Sequence, residues 1–322
     1  MASSLHVIFG TGPVGCWIAR ALREQQLRAR AVNRSGVRPD LMPADVEMVK
    51  ANAADPAQAL AAAKGASTIY QALAPPYHLW ERLFPPLQAA VLSAARSASA
   101  RYVSIENLYM YDSSKPIAED SPLAPVSRKG ALRLRMAEEV AAAFSRGEVR
   151  TTTLRSSDYY GPGVLGSALG ERVFGRLVAG KRAQIQGSAV QPHSFAYIED
   201  VGRAAAALGV NDVALGRVWF APHAPAWTQE RMVAEACRAF DIERRLSVAS
   251  PFMMRLAGLF VPEARASVEM MYEFVEPFVV ESTRIERELG VSHTPIPVGI
   301  ARTVRWYKER AAKRSPDPAA RT

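Results

Sequence analysis

An α/β fold built on a doubly wound parallel sheet is what this sequence predicts, and three observations predict it. Short apolar runs alternate with helical stretches through the first 155 residues. A glycine-rich turn joins the first apolar run to the first helix. Beyond Arg155 the alternation loosens, so the second half reads as a smaller lobe attached to the first. The 322 residues are ample for a buried core, and 49% apolar against 22% charged residues is the balance of a globular chain.

The elements follow in order. Leu5–Phe9 is an apolar strand bounded by Gly10, and Val14, Ile18, Ala21 and Leu22 recur after it at helical spacing. Arg28–Val32 reads as a second strand and Val46–Val49 as a third. Asp55-Pro56 has the form of an N-cap with proline at the first helical position, and Gly65 closes that alanine-rich helix. Ser67–Tyr70, Tyr102–Ile105 and Thr151–Leu154 are further strands, separated by helices over Leu79–Ser97 and Lys129–Ser145. Such repeats bury both faces of a parallel sheet under helices. Later in the chain we expect a loop at Tyr159–Gly163, helices over Ser167–Val178, Glu199–Leu208 and Thr228–Phe240, and a strand at Arg217–Phe220. The remainder reads as mostly helical, with methionine pairs at 253/254 and 270/271 placed to pack.

Composition excludes several classes. The longest apolar run, Phe252–Val261, is interrupted by Arg255 and too short to span a bilayer, so no membrane role is expected. No basic segment followed by an apolar one opens the chain, so no secretory signal is expected. Two cysteines, Cys16 and Cys237, cannot build a disulfide scaffold or a Cys-rich zinc centre, and a cytoplasmic location is expected. No histidine and carboxylate cluster has metal-ligand spacing, so no metal is expected. Forty Lys and Arg against 31 Asp and Glu give a net charge of +9. The arginines are scattered and part of the excess sits in a tail from Arg310, read as frayed or disordered. That pattern points to an anionic cofactor or a small-molecule substrate rather than to nucleic acid.

The segment Gly10-Thr11-Gly12-Pro13-Val14-Gly15 carries the most chemistry. It leaves a strand and opens a helix, the context in which G-x-G-x-x-G binds a dinucleotide. Gly10 permits the tight turn, Gly12 lets the backbone approach a pyrophosphate, and Gly15 lets helix and strand pack. The helix mouth then faces the phosphates. A site for NAD usually has a carboxylate about 20 residues on. This chain has Asn33-Arg34-Ser35, with no carboxylate to repel a 2′-phosphate and a guanidinium to hold one. NADP is therefore the expected cofactor, with NAD possible.

With these residues the chain resembles the extended short-chain dehydrogenase/reductases, the NAD(P)-dependent epimerase/dehydratase family. The resemblance runs over about residues 5–308. It rests on the glycine loop, on Tyr109–Pro125, on Leu154-Arg155 with Tyr160-Gly161-Pro162-Gly163, and on Phe195–Val201. It implies a Rossmann-type domain over residues 1–158, to which 194–222 returns. A smaller, mostly C-terminal substrate lobe would comprise 159–193 and 223–310. It also implies that Asn52, Ala53, Ala72, Leu73, Ala74, Ser156 and Ser157 lie along the cofactor. A homodimer is common in the family and possible here.

The catalytic pattern departs from the family's. A Ser or Thr after the fifth strand and a Tyr-x-x-x-Lys on the next helix are usual. Aligning on Met136-Ala137-Glu138-Glu139 puts Ala131 at the tyrosine and Arg135 at the lysine, where an arginine could still hold ribose or phosphate. The serine position falls on Ser104 or Asn107. Another group must then protonate a developing alkoxide. Tyr109 and Tyr111 follow the fifth strand, and Lys129 begins the helix. Relatives without the tyrosine are thought to use such a lysine. Asp158, Tyr160 and His193, with Tyr77, His78 and Trp80 of the loop after the fourth strand, are the expected substrate contacts. The expectation is an NADP(H)-dependent oxidoreductase or epimerase-like enzyme for a small carbonyl, alcohol or sugar-derived substrate. The alternative is an NADP-binding sensor that has lost its chemistry.

Overall fold

The structure is a computed structural model, and it describes residues 4–249, 260 and 262–314. Met253, Met254 and nearly all of the apolar run Phe252–Val261 lie outside the described residues, as does the tail from residue 315.

Seven parallel strands form the central sheet. They are β1 (Leu5–Phe9), β2 (Arg28–Asn33), β3 (Glu47–Lys50), β4 (Ala66–Gln71), β5 (Arg101–Glu106), β6 (Arg150–Arg155) and a late strand, Val218–Phe220. From one edge the order is Val218–Phe220, β6, β5, β4, β1, β2, β3. The chain therefore reverses direction across the sheet between β1 and β4. A crevice opens there at the carboxyl ends of the strands, where ligands of such sheets bind. All of β1 is buried, as a strand covered on both faces must be.

Four helices alternate with these strands: α1 (Pro13–Glu24), α2 (Pro56–Ala62), α3 (Trp80–Ser97) and α4 (Arg128–Ser145). The helix Ile198–Val210 joins α1 on one face, and their side chains with Ile8, Val103 and Leu154 form one apolar layer. Ala59, Val91, Ala94, Val140 and Ala143 of α2, α3 and α4 form the layer on the other face, against Val7, Phe9, Ile69 and Tyr102. Side chains cap three helices, at Asp55 and Thr228 as the sequence predicts and at Ser127 in addition. The Asp55 carboxylate accepts from the N–H groups of Ala57 and Gln58, the Ser127 hydroxyl from Gly130, and the Thr228 hydroxyl from Arg231.

The second half departs more from expectation. Tyr159-Tyr160 is a short strand paired with Ala196-Tyr197 rather than loop. The helix expected over Ser167–Val178 is a π-helical turn at Gly170–Gly175 followed by Arg176–Val178. Leu246–Ala249 is an unexpected strand beside Ala183–Gln186. The last helix, Ile296–Arg314, runs past the point where fraying was expected. A separate core holds this part together, with Phe174, Ile185, Met232, Ile300 and Tyr307 buried at its centre. Met270 and Met271 are buried too. Among the described residues no helix is long and apolar enough to cross a membrane.

Candidate active site

A cavity of about 550 Å³ lies over the carboxyl ends of β1, β4, β5 and β6. One end is the glycine loop. Gly10 has φ +106°, and a Cβ there would stand 2.6 Å from the carbonyl oxygen of Ala72, so this turn requires glycine. A Cβ on Gly15 would collide with the carbonyl of Gly10. Gly12 has open space where its Cβ would be, faces the cavity, and is the N-cap of α1 without a side-chain cap. The first N–H groups of α1 thus remain available to an anion at the cavity end.

The end of β2 is organised by Asn33. Its amide donates to the hydroxyl of Thr11 at 2.9 Å and to the carbonyl of Val37 at 2.8 Å. Its oxygen accepts from the N–H of Gly36 and the hydroxyl of Ser35. Asn33 is therefore committed to shaping the turn. Arg34 lines the cavity, and among the described residues it has no hydrogen-bond or ion-pair partner. Ala72, Leu73, Ala74, Ser156 and Ser157 also line the cavity, whereas Ser35, Asn52 and Ala53 do not. Asn52 is exposed and holds the turn into α2 through Ala54 and Gln58.

The alignment of the helix pattern is corrected by α4. Arg135 is exposed, in an outer groove with Ala89, Ser93 and Glu138, and Ala131 carries no polar group to the cavity. The inward face presents Lys129 and Arg133, four residues apart and so one turn apart. Arg133 is buried and reaches the cavity, with its guanidinium 4.5 Å from the ring centre of Phe84 and its Nε without a partner among the described residues. Lys129 is buried and outside the cavity lining. Its Nζ pairs with Glu269 and lies 5.5 Å from the ring centre of Tyr77.

Of the residues after β5, Ser104 is turned away and donates to Glu106 at 2.8 Å. Asn107 lines the cavity, and its buried Oδ1 has no hydrogen-bond partner among the described residues. Tyr111 is buried beside the cavity, its hydroxyl at 2.6 Å from Arg155, which also pairs with Glu106 at 3.0 Å. Tyr109 does reach the cavity. Its hydroxyl bonds that of Tyr77, and Trp80 packs against both rings. Burial raises the pKa of both phenols.

The opposite wall is formed by Asp158, Tyr159, Glu273 and Phe278. His193 stands behind it and contacts the Asp158 carboxylate at 3.1 Å. Glu273 is buried, and among the described residues its Oε1 has no hydrogen-bond partner. Burial first, and the charge of Asp158 second, push its pKa well above the usual carboxyl range. His78 is exposed outside the cavity, and Tyr160 is buried in the second core against Tyr197. The sequence pattern overlooked Glu106, Arg133, Tyr159 and Glu273. Only Arg133 had a visible signal, its four-residue spacing from Lys129. Among the described residues no three His, Cys, Asp or Glu side chains are grouped to hold a metal.

Fold and crevice together define a Rossmann-type α/β protein of the extended short-chain dehydrogenase/reductase class. Residues 7–218 match the NAD dependent epimerase/dehydratase family, and the chain belongs to it. The fold is similar to that of UDP-glucose 4-epimerase from Thermotoga maritima, solved with UDP-glucose (TM-score 0.79, 13% identity, 95% of this chain and 99% of that one). It is also similar to UDP-glucuronic acid 4-epimerase from Bacillus cereus, solved with NAD (0.77, 14%, 97% and 99%). A third similar structure is dTDP-glucose 4,6-dehydratase from Streptomyces venezuelae, a double mutant with NAD bound (0.78, 16%, 96% and 98%). Comparison with curated proteins finds no match.

Proposed function

We propose that this protein is an NADP(H)-dependent oxidoreductase or epimerase-like enzyme acting on a small carbonyl, alcohol or sugar-derived substrate, with a non-standard proton donor. The observation that carries the reading is the continuous cavity from the bare mouth of α1, past Arg34, to a polar far end. The cofactor supplies or accepts the hydride. The α1 N–H groups would hold its diphosphate, Arg34 its 2′-phosphate through paired donors, and Arg133 the sugar nearest the nicotinamide. Asn107, which lines the cavity, takes the part of the family's Ser or Thr in this reading.

In place of Tyr-x-x-x-Lys this helix offers Lys129-x-x-x-Arg133. Lys129 is held beneath Tyr77 by Glu269, so it supports the cavity wall. Tyr109, paired with Tyr77, offers the substrate oxygen a hydrogen bond from a dry, aromatic wall, where such a bond gains strength. The sensor reading is weaker, because a chain that only reports cofactor would need no unpartnered polar groups at the cavity's far end.

Titration calorimetry with NADPH and NADH, followed by a carbonyl screen read as loss of NADPH absorbance, tests the proposal. Arg34→Ala should raise the KM for NADPH at least tenfold and change that for NADH little. Equal effects would end the NADP assignment. Binding without turnover across the screen would favour the sensor.

A further inference from the structure

His193 is buried and tightly oriented. Its ring stacks on Phe274 at 5.0 Å between centres and on Phe278 at 5.2 Å, with Phe195 on its flank at 4.4 Å. The backbone around it is fixed as well: the N–H of Ser194 donates to the carbonyl of Phe278 at 2.8 Å, and the Ser157 hydroxyl donates to the carbonyl of Ser194 at 2.5 Å. Two contacts fill the ring's hydrogen-bonding edge. Nδ1 lies 3.0 Å from the carbonyl oxygen of Glu273, and Nε2 lies 3.1 Å from Oδ2 of Asp158.

A carbonyl oxygen only accepts, so Nδ1 must carry a hydrogen. In a neutral imidazole Nε2 is then a bare acceptor, and it would face a carboxylate that also only accepts. The contact between Nε2 and Asp158 therefore needs one more proton. It sits on Nε2, giving imidazolium and carboxylate, or on Asp158, giving neutral imidazole and acid. Either way the pair holds one proton beyond a neutral ring with an ionised carboxylate.

We propose that Asp158 and His193 share this proton at the cavity wall. Asp158 would be the catalytic residue that passes it to the substrate oxygen, and His193 the positioning residue behind it. This inference rests on the redox reading given above. When the substrate carbonyl carbon gains hydride from the reduced nicotinamide, a C–H bond forms and the C=O π bond breaks. The oxygen takes the pair's proton, forming an O–H bond and leaving Asp158 ionised beside neutral His193. Water returns the proton, and the oxidative direction is the reverse. Tyr109 and Tyr77 then polarise the oxygen without having to ionise. The groups that face the pair are Glu273 and Tyr272 from the following lobe, Tyr77 and Tyr109 from the opposite wall, Tyr159 beside Asp158, and His223 behind the ring. None places a permanent cation against Asp158, which leaves His193 as its proton partner.

The test uses the full-length, cofactor-free protein with ¹⁵N-labelled histidine, the His193 signals being assigned by their loss in His193→Gln. At neutral pH Nδ1 should appear protonated, and Asp158→Asn should shift the Nε2 resonance, by tens of ppm where the proton rests on Nε2 and by a few where it rests on Asp158. A bare Nδ1, or an Nε2 resonance indifferent to Asp158→Asn, would overturn the proposal. With any carbonyl that passes the screen, Asp158→Asn should lower kcat at least a hundredfold at unchanged NADPH affinity, and Tyr109→Phe should lower it without moving the pH profile. Equal pH profiles in wild type and His193→Gln would also count against it. Failure of NADPH to bind the wild type at all would instead remove the redox reading and leave the proton count to the spectra.

Discussion

At the scale of single residues, the site is ruled by the cost of burying charge. Arg155 lies between Glu106 and the hydroxyl of Tyr111, all out of water, and Glu106 also accepts from Ser104. Each side chain in that network has a partner within it, so its work is to hold β5 and β6 in register beneath the cavity. Removing one member leaves an uncompensated buried charge. Glu106→Gln should cost about 3–5 kcal/mol, read by urea unfolding, as breaking a buried pair does. Glu273 is the contrary case, a buried carboxyl facing Asp158 without a cation. It keeps its proton to higher pH in the folded chain than in the unfolded one. Its contribution to stability is thus complete below the unfolded carboxyl value near 4.3 and is lost as pH rises through the folded value. Glu273→Gln should therefore melt higher than wild type at pH 7 and match it at pH 4; the same offset at both would refute the sign. Little of this was legible beforehand, because Glu273 is one glutamate among many until the fold buries it.

At the scale of elements, legibility followed periodicity and punctuation. The strands β1, β4, β5 and β6 and the helices between them are readable from their apolar runs and periods, helped in β1, α2 and β4 by a cap, a proline or a glycine at the end. The pairing of Tyr159-Tyr160 with Ala196-Tyr197 was not, since a two-residue strand has no period and gets its partner from far along the chain. The register of α4 was misjudged for a related reason. Met136–Glu139 fitted the family's spacing, but which face is buried depends on α3 and the cavity, and that choice selects Lys129 and Arg133. Two glycines separate packing from binding. A Cβ on Gly202 would stand 2.6 Å from the backbone of Trp17, where the helix Ile198–Val210 crosses α1. Gly202→Ala should cost about 1–3 kcal/mol while leaving NADPH affinity of the folded protein within twofold. A Cβ on Gly12 would meet nothing within 4 Å. Gly12→Ala should cost under about 1 kcal/mol and yet weaken NADPH binding at least tenfold, because its methyl occupies the approach to the helix mouth.

At the scale of the whole molecule, the cavity is shared between chain segments far apart in sequence. The glycine loop, the end of β2 with Arg34, the loops after β4, β5 and β6, Trp80 and Phe84 of α3, and Arg133 supply one part, while Val164–Ser167, Glu273 and Phe278 supply another. Specific ties join these parts. The Trp17 indole donates to the carbonyl of Pro162 at 3.0 Å, Lys129 pairs with Glu269, and Asp200 accepts from Thr294 at 2.6 Å. Each links a sheet-facing helix to a later segment, and no local pattern in the sequence announces such a pairing, which is why sequence reading could not say what the later segments bring to the site. A ligand lying across such a cavity contacts both sets of walls and stabilises them together. At a hundred times its dissociation constant NADPH should add about 2.7 kcal/mol, which for a chain of this length is a rise of roughly 5 °C in Tm. The gain should appear as one unfolding transition moving upward in calorimetry. If the early segments alone held the cofactor, two transitions would separate and only one would shift. Glu269→Ala, which releases Lys129 from its tie, should lower the ligand-free transition and shrink the NADPH-induced rise, because part of the binding energy would then go to closing the wall around Tyr77.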